Sequence, residues 1–156
     1  MLLIGGAMIA LSRRHEPTPL RPADIITAEE ITSPEGLHRF LENDFAVLHI
    51  DVDWSIYTAF SNPLILRLRQ EIEEDSRYRR VVFRRIDLTD QDHSPLWEQL
   101  NFWLEIQGEG LLHNLPTSGY GAVIWIRNGN PVDSVVYPAH EGYEKMIAKT
   151  HSAFRE

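Results

Sequence analysis

The sequence predicts one α/β domain built on a mixed sheet with helices on both faces. Two strand-like apolar runs are separated by a long helical pattern, which calls for a parallel crossover. Further on, Asn128-Gly129 stands between two more apolar runs and marks a hairpin, hence antiparallel pairs in the same sheet. Size agrees: 156 residues, 43% hydrophobic and 24% charged, suffice for one well-buried core and are too few for two.

The elements follow in order. Ser33-Pro34-Glu35 predicts a helix start, with a hydroxyl at the N-cap, proline in the first turn and a carboxylate near the positive end of the dipole; Leu37, Phe40 and Leu41 supply its buried stripe. Phe45 to Val52 is apolar except for His49 and Asp51, as expected of a central strand covered on both faces. A helix from about Ser55 to Asp75 follows, with Tyr57, Phe60, Leu64, Leu68 and Ile72 as its apolar stripe and Pro63 as a kink. Val81 to Ile86 reads as a second strand. Ser94-Pro95 opens a capped helix carrying Leu96, Leu100, Trp103 and Leu104, closed by Gly108 and Gly110. Trp97 and Trp103, six apart, point in different directions, one to the core and the other open to exposure, with packing the expected role of both. Ala122–Ile126 and Val132–Tyr137 are the hairpin strands, and a last helix carries Tyr143, Met146, Ile147 and Phe154 on one side.

Ahead of the domain, residues 1–25 form an apolar N-terminus and a linker. Met1 to Leu11 is too short for a hydrocarbon core that needs roughly 20 helical residues. Its charges, Arg13 and Arg14, follow the apolar run, the reverse of a secretory signal. The segment admits weak membrane association with the remainder cytoplasmic. Pro17, Pro19 and Pro22 make the following stretch an extended linker, so the folded unit spans 26–156.

Charge and composition exclude several functions. A net charge of −8 repels nucleic acid, which is not an expected partner. With 0 cysteines the chain has no disulfide, thiolate nucleophile, Cys-ligated zinc or iron–sulfur cluster of its own. There is no phosphate-cradling glycine loop, His-Glu-x-x-His or nucleophile elbow. The arginines between positions 67 and 85 are interleaved with Glu71, Glu73, Glu74 and Asp75; Glu73 with Arg77 and Asp75 with Arg79 have helical ion-pair spacing, so a solvated surface is expected.

The stretch from Asp53-Trp54 through Ser55-Ile56-Tyr57-Thr58 to Pro63 resembles the thioredoxin family. There a strand leads into Trp-Cys-Gly-Pro-Cys and a helix kinked by a proline five residues after the second cysteine. Val123-Ile124-Trp125-Ile126-Arg127-Asn128-Gly129 likewise resembles that family's strand and Lys-Asn-Gly turn. The resemblance covers about residues 31–154 and implies a thioredoxin-like three-layer α/β/α sandwich with a central mixed sheet. Ser55 and Thr58 would take the two cysteine positions, and a serine hydroxyl supports no thiol–disulfide exchange. Gly121 falls where the family has a cis-proline, and His49 where it has a buried acid. Between Thr89 and Gly121 lie 31 residues, more than the family usually has. The implied function is a non-catalytic, cofactor-free protein-binding or scaffolding module. Its groove for an extended segment of a protein or peptide partner would be formed by Trp54, Ser55, Ile56, Tyr57, Thr58, Tyr120 and Gly121. The segment from 90 to 120 would fill or extend it. Ser55 and Thr58 also read simply as helix-capping hydroxyls.

Two other constellations stand on the first strand. His49, Asp51 and Asp53 alternate along one strand face, a geometry open to a nitrogen–oxygen metal site, but no further ligand cluster supports it and no metal is expected. Asp51-Val52-Asp53 is similar to the Asp-x-Asp start of haloacid dehalogenase-like phosphatases, with Asp51 as nucleophile and Asp53 as general acid. That family also needs a downstream lysine and a late acidic pair, whereas the only lysines here are Lys145 and Lys149 in the last helix.

Overall fold

A computed structural model of the chain describes residues 30–52, 55–90, 93–106 and 121–155. The apolar N-terminus and linker, Asp53, Trp54, Tyr120 and the glycine-bearing stretch 107–119 lie outside the described residues. Helix α1 (Pro34–Leu41) leads into strand β1 (Phe45–Asp51), helix α2 (Ile56–Glu74) and strand β2 (Val81–Asp87). Helix α3 (Pro95–Ile106), strands β3 (Ala122–Arg127) and β4 (Asn130–Val135), a short helix α4 (Pro138–Glu141) and helix α5 (Tyr143–Ala153) complete the chain. The strands lie in the order β2-β1-β3-β4, β1 parallel to β2 and antiparallel to β3, so the expected mixed sheet is present.

The alternation of a strand's side chains divides the sheet residues between two cores. Leu48, Ile50, Ile86, Ile124 and Ile126 face Leu37 and Phe40 of α1 and Leu96, Leu100, Trp103 and Leu104 of α3. Val47, Phe83, Val123 and Trp125 face Ile65, Leu68 and Ile72 of α2 and Met146 of α5. The result is the three-layer sandwich. Trp125, 0% exposed, donates its indole N–H to Thr150 Oγ1 at 2.8 Å, which gives the one polar atom of that ring a partner inside the core.

Local signals set the ends of the elements. Ser33 Oγ accepts from Gly36 N–H at 3.1 Å and Ser94 Oγ accepts from Trp97 N–H at 3.1 Å, each filling one orphan donor of a helix start. Trp103 is buried and Trp97 packs partly buried against the same cluster, so neither indole is left to solvent. Two expected ion pairs are replaced by others. Because α2 stops at Glu74, Asp75 and Arg79 do not share a helix; Asp75 instead binds Arg77 at 2.6 Å, and Glu73 pairs backward with Arg69 at 2.6 Å.

Strand β4 begins at Asn130 rather than Val132 because the turn has only two residues, and it ends before Tyr137, which instead precedes α4. Asn128 and Gly129 have φ of 50° and 75°, the double left-handed conformation of a type I′ turn whose twist matches the strands it joins. The turn is also anchored from outside. Trp103 Nε1 donates to Gly129 O at 3.0 Å, and a Cβ at Gly129 would lie 3.0 Å from the Leu41 carbonyl oxygen. Gly129→Ala therefore meets both a left-handed backbone and a backbone atom that cannot swing away. A loss of roughly 1–2 kcal/mol or more is expected, measured as a lower urea midpoint at unchanged slope, while Asn128→Gly stays close to wild type.

Candidate functional site

The carboxyl ends of β1 and β2, the first turns of α2 and the start of β3 meet at one end of the sheet. On the face beneath α2, Val47, His49 and Asp51 succeed one another along β1, and Phe83, Arg85 and Asp87 stand beside them in register on β2. The apolar pair Val47 and Phe83 thus gives way to two polar rungs. Asp51, 0% exposed, accepts from Arg85 Nε at 2.8 Å and Nη2 at 2.7 Å. Arg85 Nη2 also meets Asp87 Oδ2 at 3.1 Å, and Asp87 Oδ1 accepts from the Thr89 N–H at 2.9 Å. Burial opposes the charge on Arg85, but the attraction and hydrogen bonding of Asp51, with Asp87 and Glu30, outweigh it and raise its pKa.

Helix α2 answers these rungs with polar residues. The expected stripe of Tyr57, Phe60, Leu64, Leu68 and Ile72 holds only in the second half of the helix. In the first half the buried residues are Thr58, Ser61 and Asn62, while Ile56, Tyr57 and Phe60 are 65%, 43% and 44% exposed. The reason is what lies below: a charged rung on the sheet cannot be covered by leucine without leaving polar atoms unpaired. Polar side chains turn inward and the aromatic and aliphatic ones outward. Outside, Tyr57 and Tyr137 meet edge to face at 5.3 Å, and Tyr137 stacks on His140 at 6.0 Å.

The predicted site residues separate accordingly. Ser55 sits at the N-cap position, but its side chain is buried and makes no capping hydrogen bond. Thr58 is buried in the first turn; Ile56 and Tyr57 face solvent. Gly121 has a φ of 69° and is brought against both α2 and β1, since a Cβ there would lie 3.7 Å from Thr58 Oγ1 and 3.6 Å from Ile50 O. Trp54 and Tyr120 lie outside the described residues, as does most of the segment expected to fill or extend the groove. Phe60 was missed as a surface residue because spacing alone assigns it to the core; the polar pair His49 and Asp51, facing α2, was the available sign that the stripe would change phase.

His49 is 4% exposed, and burial pushes its pKa down to about 4; Asp51 and Asp87 favour the proton, and Arg85 opposes it. Among the described residues no group of three or more His, Asp or Glu stands together to hold a metal. Asp51, buried and held by Arg85, is not presented to a phosphoester, and Asp53 lies outside the described residues, so the phosphatase reading is not supported. No helix among the described residues is long and apolar enough to cross a membrane.

The architecture is that of the thioredoxins. No family model and no curated protein matches the sequence. Among solved structures, the thioredoxin of Malassezia sympodialis superposes with a TM-score of 0.54 at 15% identity, over 91% of this chain and 99% of that one. Oxidised thioredoxin from Plasmodium falciparum gives 0.53 at 14% identity, over 80% and 98%. Thioredoxin O2 from Arabidopsis thaliana gives 0.53 at 13%, over 81% and 94%. At these identities the likeness is one of fold. The chain is a thioredoxin-like protein without cysteine, and thiol–disulfide exchange through thiols of its own is chemically closed to it.

Two outcomes are expected. Because His49 has a lower pKa folded than unfolded, the unfolded chain binds more protons between pH 6.5 and about 4, so stability is full above pH 6.5 and falls as pH drops through that window. The loss is about 3 kcal/mol, and denaturation of wild type and His49→Phe across this range isolates it as a slope present only in wild type. Arg85→Met leaves the Asp51 carboxylate buried without its cation and costs about 3–5 kcal/mol, whereas adding Asp51→Leu returns much of that loss; chemical denaturation of the single and double variants reads the difference.

Proposed function

We propose that this chain is a non-catalytic binding or scaffolding module that recognises an apolar segment of a partner protein at the start of α2. The observation that carries the reading is the inversion of that helix. Ile56, Tyr57 and Phe60 are exposed on consecutive turns at the sheet end, while Thr58, Ser61 and Asn62 of the same turns are buried. Such a cluster has a cost in water, about 25 cal/mol for each Å² of apolar surface left uncovered, and a protein partner relieves it. Aromatic residues suit the task because they offer large area with few rotatable bonds. The first turn of α2 carries no acidic residue, which suits an apolar segment. Sulfur is not required for any of these contacts.

A displayed peptide library selected on the full chain tests the reading. Peptides enriched in apolar and aromatic residues are expected, with affinity falling at least tenfold in Ile56→Ser and Tyr57→Ser while circular dichroism shows the fold retained. Selection that yields no binder, or binders indifferent to both substitutions, overturns it.

A further inference from the structure

Beneath α2 four buried polar atoms have no hydrogen-bond partner among the described residues: His49 Nε2, Asp51 Oδ1, Thr58 Oγ1 and Asn62 Oδ1. Their residues are 4%, 0%, 3% and 5% exposed, so bulk water does not serve them. They also occupy neighbouring places in the fold. His49 and Asp51 are successive residues on one face of β1, about 6.6 Å apart along the strand. Thr58 and Asn62 are one helical turn apart on the buried face of α2, about 6 Å along the axis. Because β1 and β2 are parallel and α2 connects them, the helix runs back over β1 in the opposite direction. One position fixes the alignment. By continuation of the β1 and β3 pairing, Gly121 stands one step beyond Ala122, opposite Asp51, and Thr58 Oγ1 is 3.7 Å from the place its Cβ would take. Thr58 therefore lies over the Asp51 rung and Asn62 over the His49 rung, with Ile65 and Leu68 continuing over Val47.

The chemistry of the four atoms is complementary. Asp51 Oδ1, on a carboxylate whose other oxygen is held by Arg85, only accepts, and so does the Asn62 amide oxygen. The Thr58 hydroxyl donates, and a neutral His49 ring carrying its proton on Nε2 donates as well. Two acceptors and two donors are the complement of one tetrahedral molecule with two O–H bonds and two lone pairs. We propose that the polar rungs form an internal binding site for water, in which one ordered molecule donates to Asp51 and Asn62 and accepts from Thr58 and His49. The site joins β1 to α2 where apolar packing is interrupted, in place of the leucine contacts found further along the helix. It stands independently of any partner at the surface of α2. Among the described residues, Arg85 and Asp87 on β2 are the other charged groups facing it, and they are engaged with Asp51 and Thr89.

Water–protein cross-relaxation in the folded full chain reads this directly. Nuclear and rotating-frame Overhauser peaks between water and the Thr58 hydroxyl and methyl and the Asn62 side-chain protons are expected, with the sign of a water held longer than about a nanosecond. The peaks disappear in Asn62→Leu, and in Thr58→Val for the remaining Asn62 protons, while the amide spectrum keeps its fold. Absence of these peaks in the wild-type chain overturns the proposal. So does their survival at full intensity in both variants, or a crystal structure in which the four atoms bond directly to one another.

Discussion

Strand β1 is enclosed on every side, and the rest of the molecule is arranged around that enclosure. Its edges are taken by β2 and β3, and its faces by the two helix layers, so six of its seven residues are buried. Apolar residues meet this demand without further provision. His49 and Asp51 do not: Asp51 takes a guanidinium from β2, and the buried residues of α2 above the pair are polar, with a residue lacking Cβ just ahead of β3. The position of the candidate surface is thus a consequence of the interior. Polar groups on the middle strand pull polar residues of α2 inward, and the helix periodicity then turns Ile56, Tyr57 and Phe60 outward.

The same constraint separates the two halves of α2 energetically. From Ile65 onward the helix is held by burial of apolar side chains against Val47, Phe83 and Trp125. Before that point its buried residues are Thr58, Ser61 and Asn62, which bury little apolar surface. Pro63 stands at the boundary, where its missing N–H leaves one backbone carbonyl of the preceding turn without its usual donor.

Much of the fold was legible from residue order. Ser33-Pro34, Ser94-Pro95 and Asn128-Gly129 act within four residues, and each does in space what its local chemistry requires. The run from Phe45 to Asp51 is apolar except for His49 and Asp51 and is buried on both faces, as a central strand is. What sequence spacing misplaced depended on contacts distant along the chain. Phe60 has the spacing of a core residue and is exposed because His49 and Asp51 lie across from that turn of the helix. Asp75 lies four residues before Arg79, yet the helix ends before both and Arg77 takes the carboxylate. Ser55 is a sound capping residue by type, but its hydroxyl is turned into the interior and the cap is not formed.

Strand β4 carries one more consequence. It lies at a margin of the sheet, and within it Pro131 stands opposite Ile126 while Asp133 stands opposite Trp125, so Val132 is an extra residue that breaks the spacing of the ladder. Proline has no amide hydrogen, and the bulge turns the neighbouring groups out of line. A foreign strand laid along this border would find its bonding pattern interrupted at once. The molecule thus carries a built-in obstacle to fibrous growth on that side, set by the two residues that follow its hairpin.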